Sequence, residues 1–436
     1  MAQTNALTTW LDRNRGILFT VYATLTAFCV YACMYAFRKP FTAAAFSGLS
    51  LWGVELKTML IIAQVLGYTT SKFLGIKYVS EMPAQRRAMT IVGLILAAEV
   101  ALFFFWVVPG PSKLVFLFLN GLPLGMVWGL VFSFLEGRRN TELLGAGLSV
   151  SFIVSSGFVK SVGRYLTLEF GLSDFAMPFF TGLLFLLPLI LFTWLLNLLP
   201  PPSEADETQR TRRIPMSGAE RLDFFKRFAG GIIVLTVVYM ALTAFRDLRD
   251  NYALEILEAV GFVNDASIFT KVEGPVGLIV LVVMGSLMLI KHNQRALMVN
   301  HYIIAFGLTL IGGATFAFQS GWIPAYLWMV LTGLGSYLGY VPFNCILFDR
   351  LIATYKTLAN AGFLIYVADS FGYLSSVGLL LYKNFGQADI SWYTFFVQLC
   401  YITAGIGVTL TMVSMLYFRQ QHAKQLTNHH PSEPIH

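Results

Sequence analysis

Charged residues are scarce in this sequence, and their scarcity excludes a water-soluble protein. Only 12% of the 436 residues are charged, whereas 56% are hydrophobic and the mean hydropathy is +0.68. About a quarter of the residues of a typical soluble domain are charged. The composition therefore predicts an integral membrane protein that crosses the bilayer many times.

Cysteine and histidine are also rare, which excludes a disulfide framework and leaves little for a metal site. The four cysteines lie in apolar runs without paired ligand spacing: Cys29, Cys33, Cys345 and Cys400. The six histidines lie mostly in loops and in the C-terminal tail. We expect the cysteines to be small core residues, and the protein to use no metal and no cofactor.

The sequence also lacks the patterns of enzymes and of nucleic-acid-binding proteins. It has no nucleophile elbow, no Walker loop and no dinucleotide-binding loop after a strand. The net charge of +7 is not gathered on a basic face with interleaved aromatic residues. We therefore predict that the protein is not an enzyme and has no nucleic-acid partner.

Long apolar runs are what the sequence has in abundance. A spanning helix needs about 20 mostly apolar residues, and we predict twelve spans, at residues 17–46, 56–75, 88–108, 115–135, 143–164, 178–199, 230–245, 266–290, 302–318, 326–348, 358–381 and 392–418. The first run continues without charge beyond Arg38 and Lys39, so we do not expect a cleaved signal peptide.

A single long polar stretch divides the spans into six and six. Residues 200–228 begin with prolines and carry mixed charges, which predicts a linker whose residues 219–228 lie as a short amphipathic helix at the membrane interface. The expected domains are a bundle at 1–199, the linker at 200–228, a second bundle at 229–418 and a tail at 419–436. Most of the lysines and arginines fall on the side of the linker and both termini, which predicts that this side is cytoplasmic in a multi-pass cell-membrane protein, expected to be a monomer.

Two halves of the sequence repeat each other. Val30-Tyr31 and Ala36-Phe37-Arg38 recur as Val238-Tyr239 and Ala244-Phe245-Arg246. Gly121-Leu122, Trp128 and Arg138 correspond to Gly333-Leu334, Tyr340 and Arg350, and residues 155–163 resemble 370–378. Parallel six-helix repeats joined by a polar linker predict an all-α membrane fold of twelve transmembrane helices in two pseudo-symmetric bundles, as in the major facilitator superfamily, with a substrate site between the halves.

The repeated motif points to an anion site. Ionisable residues at membrane depth are costly and usually functional, and those we place inside the bundle are mainly basic: Arg38, Arg246, Lys72 and Lys160. Tyr31, Tyr35 and Arg38 are spaced i, i+4, i+7 and share one helix face. A guanidinium fork and phenol hydroxyls suit the oxygens of carboxylate or phosphate.

Two of these basic residues have a second interpretation. Arg38 lies 22 residues along the first run, about 31 Å from its start, which fits an arginine that reaches the outer surface. A long tilted helix would hold it deeper. Lys160 lies four residues from Arg164 and also fits a lysine at a helix end that extends to the interface.

The motif residues resemble a known family. The run YAFRKPFTAAAF at 35–46 is similar to the first-helix signature of the organophosphate:phosphate antiporter family, and Ser71-Lys72-Phe73 to its second helix. Tyr340-Val341-Pro342 resembles a tenth-helix Tyr-Gly-Pro, and the stretches 361–363 and 371–374 resemble its eleventh helix with a longer gap. No family residue matches the charges Asp247, Arg249 and Asp250.

The resemblance implies roles for these positions. Arg38 and Arg246 would hold the phosphate of the substrate, and the residues implied to line the same cavity are Lys72, Tyr31, Tyr35, Tyr340 and Tyr373. Lys39 and Glu273 would pair across the halves as a gate. The function implied is alternating-access transport of a small anionic organic solute, in exchange for phosphate.

Alternatives to this function remain open from sequence. One is a ligand sensor of the same fold that does not transport, and another is a proton-coupled carrier of a different solute. Asp369 is the acid we expect to bind a proton in the latter case. It equally fits a structural acid that pairs with a base such as Lys160 or bonds with a neighbouring hydroxyl.

Overall fold

The computed structural model describes residues 6–80, 82–136, 138, 141–203, 218–287, 289–355 and 361–428. Within these ranges the chain is helical almost throughout, and its only sheet is a two-residue antiparallel hairpin. The predicted all-α membrane fold is confirmed.

The six long helices of the first half follow a short N-terminal helix. In chain order, the helices and strands of this half are α1 Ala6–Arg13, α2 Ile17–Tyr35, β1 Ser50–Leu51, β2 Val54–Glu55, α3 Leu56–Ser80, α4 Arg87–Val107, α5 Lys113–Leu135, α6 Thr141–Phe170 and α7 Met177–Asn197. The hairpin pairs Ser50 with Glu55 and Leu51 with Val54.

The second half repeats the pattern with two additional short helices. Its elements are α8 Gly218–Asn251, α9 Ala253–Ala259, α10 Ile268–Leu287, α11 Asn293–Gln319, α12 Ala325–Cys345, α13 Leu347–Tyr355, α14 Ala361–Gly386 and α15 Trp392–Asn428. Residues 219–228, predicted as a separate interfacial helix, are instead the start of α8, and residues 204–217 of the predicted linker lie outside the described residues.

Nine of the described helices are long and apolar enough to cross a membrane, and a tenth span is formed if α12 and α13, bent by 47° at their junction, count as one. The remaining two predicted spans are α3 and α14. These helices have 25 and 26 residues, but they carry lysines, an aspartate and several hydroxyl side chains. Both helices therefore combine spanning length with a polar character.

The outer surfaces of the helices are apolar, as lipid contact requires. On α7 the side chains of Leu184, Leu187 and Leu191 are exposed, Leu187 to 75%, whereas Thr181 and Leu189 are buried. A leucine exposed to this degree is stable in hydrocarbon and unfavourable in water. The pattern fits a helix that has lipid on one side and protein on the other.

The described chain divides into two compact units. Unit 1 comprises Met1–Thr211, Asp247–Gly285 and Val377–Phe396, and unit 2 comprises Arg212–Arg246, Ser286–Ser376 and Val397–His436. The units differ from the sequence halves, because unit 1 includes two segments of the second half. Ion pairs described below join the first of these segments, 247–285, to the first six spans.

Glycines bring helices into backbone contact within each unit. In unit 1, a Cβ on Gly121 of α5 would lie 2.2 Å from the Gln64 carbonyl oxygen of α3. In unit 2, Gly307 of α11 and Gly335 of α12 face each other in the same way, and a Cβ on either would lie 2.5 Å from the other's carbonyl oxygen. Such close crossings are typical of membrane bundles, where packing replaces the hydrophobic effect.

Candidate functional site

The first repeated arginine follows a helix end. α2 stops at Tyr35, well before the predicted end at residue 46, and Arg38 lies in the turn that follows. Pro40 fits this stop, because proline lacks the backbone N–H that would continue the hydrogen-bond pattern of the helix. A 3₁₀ turn at Pro40–Ala43 then carries the chain away. The prediction that residues 17–46 form one long helix is therefore wrong.

Amide side chains from two other helices hold this broken end. Gln64 of α3 donates to the Arg38 carbonyl at 3.0 Å and to Asn120 Oδ1 at 2.8 Å. Asn120 of α5 donates to the Phe37 carbonyl at 3.0 Å. The carbonyls left unpaired at the end of α2 thus gain buried partners, as such groups require in a membrane.

Arg38 is inside the bundle and does not reach the surface. Arg38 is only 9% exposed. Phe37, its neighbour, lies against the same glycine of α7, Gly182, as Glu99 of α4. Since Glu99 is eight residues from the end of α4, this places the turn about 12 Å along that helix from its end.

Unit 1 assembles the first group of predicted substrate residues. The Arg38 guanidinium carbon lies 3.9 Å from the ring centroid of Tyr68 and 5.9 Å from that of Tyr35. The Tyr31 and Tyr35 rings are 5.5 Å apart, edge to face. The Lys72 ammonium lies 5.6 Å from the same Tyr68 ring and 5.5 Å from the ring of Trp128. Two cations therefore lie over one aromatic ring.

Unit 2 assembles a corresponding group around the second arginine. The Arg246 guanidinium carbon lies 3.9 Å from the ring centroid of Tyr340. The Tyr239 hydroxyl is 2.9 Å from that of Tyr340 and also contacts an Asp369 carboxylate oxygen. Tyr373, four residues beyond Asp369 on α14, is buried on the same helix face. The contact with a hydroxyl, one of the structural roles expected for Asp369, is therefore observed, and proton binding at Asp369 stays a prediction.

A buried ion-pair cluster, absent from the sequence predictions, centres on Asp250. Its two carboxylate oxygens each lie 2.5 Å from an ammonium group, that of Lys39 and that of Lys160. The Ser156 hydroxyl donates to the same carboxylate at 2.6 Å, and Lys39 also donates to Asn251 at 2.9 Å. We call Lys39, Ser156, Lys160, Asp250 and Asn251 the Asp250 cluster.

The structure corrects two predictions about these lysines. Lys160 is 1% exposed, so it is not a lysine that reaches the interface, and its ammonium is held by Asp250. Lys39 and Glu273 do not pair with each other. Glu273 instead accepts from Arg249 at 2.6 Å, because Arg249 on α8 faces α10. The roles of Lys39 and Glu273 in gating stay predictions.

Two further ion pairs extend the connection between the same segments of unit 1. Lys57 lies 2.5 Å from Glu255, and Arg164 lies 2.8 Å from Glu258. The sequence carried a signal for them, since residues 246–258 hold six charges directly after an apolar run. The partner of each charge could not be read from that signal.

Glu99 was missed altogether. It lies in the predicted third span, is 6% exposed, and neither carboxylate oxygen has a hydrogen-bond partner among the described residues.

The described part of the chain contains no group of three or more His, Cys, Asp or Glu side chains that could hold a metal ion.

The comparisons with known proteins identify the family and the fold. A family described as a family of unknown function, DUF5690, matches residues 40–421. The chain belongs to this family. No curated protein matches the sequence.

Solved structures with the same fold are membrane transporters of the major facilitator superfamily, not enzymes. A D-xylose-proton symporter matches with a TM-score of 0.60 at 14% identity, over 91% of this chain and 96% of that chain. The inward open xylose transporter XylE from E. coli matches with a TM-score of 0.55 at 12% identity, over 91% and 94%. A variant of the nucleoside transporter NupG matches with 0.58 at 14% identity, over 92% and 99%. At these identities the DUF5690 chain shares the fold of the three transporters.

Proposed function

We propose that this DUF5690 protein is a secondary active transporter that moves a small anionic organic solute, a phosphate ester above all, by alternating access. The observation that carries the proposal is the duplicated arginine. Each unit holds one arginine of the repeat with its guanidinium carbon 3.9 Å from a tyrosine ring centroid. The fold shared with sugar and nucleoside transporters supports transport as the activity.

The surrounding charges favour an anion over a neutral solute. In unit 1, the cations of Arg38 and Lys72 both lie over the Tyr68 ring. A guanidinium presents parallel N–H groups that match two oxygens of a phosphate or carboxylate. Phenols at Tyr31, Tyr35, Tyr340 and Tyr373 add directed donors at positions that also match the antiporter family.

The Asp250 cluster suits the role of a gate. It joins Lys39 and Lys160 of the first half to the end of α8, with the pairs Lys57–Glu255 and Arg164–Glu258 nearby. In the orientation expected from the lysine and arginine distribution, these helix ends lie on the outer side of the cell membrane. Passage of a solute on that side requires these pairs to separate.

Reconstitution tests the proposal directly. Purified protein is reconstituted into lipid vesicles, and the vesicles are loaded with inorganic phosphate, phosphate esters, dicarboxylates or neutral sugars. The counterflow of each radiolabelled solute is then measured. We expect counterflow of a phosphate ester against phosphate, and no counterflow of the neutral sugars. Binding of an anion without any vesicle uptake would assign the protein to a ligand sensor of this fold.

The two arginines provide the site-specific arm. Arg38→Lys and Arg246→Lys keep the charge but lose the fork, and each should lower affinity by about thirty-fold to several-thousand-fold, equivalent to ~2–5 kcal/mol. Arg86→Lys, at an exposed position, is the matched control. A neutral solute transported equally by the wild type and by both variants would remove the anion site from the proposal.

A further inference from the structure

Glu99 is a buried acid with no partner among the described residues, in a well-packed part of unit 1. It lies on α4, about 18 Å from the start of that helix and about 12 Å from its end. It is 6% exposed, and neither Oε1 nor Oε2 has a hydrogen bond or a cation within reach in the described part of the chain. Native proteins rarely bury polar groups in this way without a functional reason.

A glycine on the neighbouring helix α7 leaves space for the carboxylate. Gly182 of α7 lies directly opposite, and a Cβ there would be 2.2 Å from Glu99 Oε2. The same Cβ would be 3.1 Å from the Phe37 ring. The nearby hydroxyl of Thr181 donates to the Met177 carbonyl of its own helix and not to the acid.

Few titratable groups lie on the elements packed against Glu99, and none of those described donates a hydrogen bond to its carboxylate. α7 has none. α4 has only Arg87, at its other end, and α5 has only Lys113, which donates to the Phe105 carbonyl at 2.6 Å. α2 and the turn after it contribute Tyr22, Cys29, Tyr31, Cys33, Tyr35, Arg38 and Lys39. Tyr22 donates to the Leu195 carbonyl, and Lys39 is held by Asp250.

An ionised carboxylate in this position would have neither donor nor cation, and such a group costs several kcal/mol to bury. Protonation removes that cost. We propose that Glu99 is the proton-binding residue that couples solute movement to a pH gradient. The inference rests on the proposed transport function. In each cycle the carboxylate takes up one proton from water on one side of the membrane and releases it as a proton to water on the other.

A short hydrogen-bonded path connects Glu99 to the arginine turn. Asn120 donates to the carbonyls of Phe37, at 3.0 Å, and Ala98, at 3.1 Å, and Ala98 directly precedes Glu99. Gln64 in turn connects Asn120 to the Arg38 carbonyl. A shift of the Arg38 turn when an anion binds would therefore move the backbone beside Glu99 and change its access to water.

Asp369 is a weaker choice for the same role. Its carboxylate contacts the Tyr239 hydroxyl, so its charge has a hydrogen-bond donor in this conformation. Proton binding at Asp369 would exchange one satisfied state for another. At Glu99 the proton decides whether the buried group is neutral or an unpaired charge.

The first experiment measures the proton itself. Infrared spectra of the full-length protein in lipid films are recorded at pH 7, in H₂O and D₂O, for wild type, Glu99→Gln and the exposed control Glu169→Gln. We expect a deuterium-sensitive carboxylic-acid band that Glu99→Gln removes and Glu169→Gln keeps. Glu99→Asp, which retains an acid, should restore a shifted band. A wild-type spectrum identical to that of Glu99→Gln would overturn the proposal.

The second experiment measures coupling, with radiolabelled inorganic phosphate as the probe. An inside-alkaline gradient of one pH unit should raise accumulation about tenfold in wild-type vesicles if one proton accompanies each anion. Glu99→Gln should keep counterflow and lose this increase, whereas Glu169→Gln keeps both. Equal gradient-driven accumulation in wild type and Glu99→Gln would overturn coupling at Glu99, as would a gradient response to Na⁺ in place of pH.

The two failures are distinguishable. If wild-type vesicles show no counterflow of any anion, the proposed transport function fails. The infrared spectra still decide in that case whether Glu99 binds a proton in this fold, and a missing band would reject the inference independently.

Discussion

The Lys39 ammonium lies 2.5 Å from a carboxylate oxygen of Asp250, a residue 211 positions further along the chain. Lys160 contacts the other oxygen of the same carboxylate. One negative charge thus holds two buried positive charges from different spans. This arrangement explains why residues 247–285 belong to the same compact unit as the first six spans.

Removal of the Asp250 charge should destabilise the protein strongly. Asp250→Asn leaves Lys39 and Lys160 buried without a carboxylate, and loss of one partner of a buried pair costs ~3–5 kcal/mol. Thermal unfolding in detergent should show a clear drop in the midpoint. Asp265→Asn is the control, because its partner Lys271 is 56% exposed and surface pairs contribute little. Similar midpoints for the two variants would contradict the importance of the cluster.

Lys39→Ala should change the rate of transport more than the affinity. The lysine contacts Asp250 and Asn251, whereas the adjacent Arg38 lies over Tyr68. Its removal weakens the connection to α8 without removing the arginine contact. Uptake kinetics should therefore show an altered Vmax with KM within a few-fold of wild type, and Lys271→Ala should resemble wild type. A KM effect at unchanged Vmax would instead place Lys39 in the substrate site.

Asp369 and Tyr239 should behave as one functional unit. Asp369→Asn and Tyr239→Phe disrupt the same contact, so the double variant should be scarcely worse than either single variant in uptake, with a coupling energy in the range of ~0.5–3 kcal/mol. The pH dependence of uptake should persist in Asp369→Asn. Loss of that dependence would assign proton coupling to Asp369 instead of Glu99.

Gly121→Ala should separate two helices of unit 1. The added Cβ would lie 2.2 Å from the Gln64 carbonyl oxygen, and backbone cannot move aside without parting α3 from α5. Overpacking of this kind costs ~1–3 kcal/mol, and Gln64 also holds the Arg38 turn. Both the unfolding midpoint and uptake should fall. Gly93→Ala on α4 meets nothing within 4 Å and should leave both unchanged. Equal behaviour of the two alanine variants would show that the close crossing is not required.

The composition and the internal repeat of the sequence determined the class of this protein and identified the two repeated arginines. Apolar runs of spanning length fold as helices in a bilayer because no other local structure satisfies their backbone groups. Arg38 and Arg246 stood out because a buried guanidinium is costly and two in register imply a shared role. Pro40 already carried the signal for the end of α2, but the uncharged residues after it suggested a longer helix.

Only the tertiary structure decided which charged residues form ion pairs and which acid has no hydrogen-bond partner among the described residues. Lys39 contacts Asp250 and not Glu273, and Lys160 is buried. The rotation and crossing of the helices set the position of each side chain, and neither can be read from distances along the sequence. Glu99 in an apolar run looks the same from the sequence whether it faces lipid, water or a partner. Its isolation follows from the glycine and phenylalanine packed against it, since electrostatic partners are chosen by distances of a few ångströms between segments far apart in the chain.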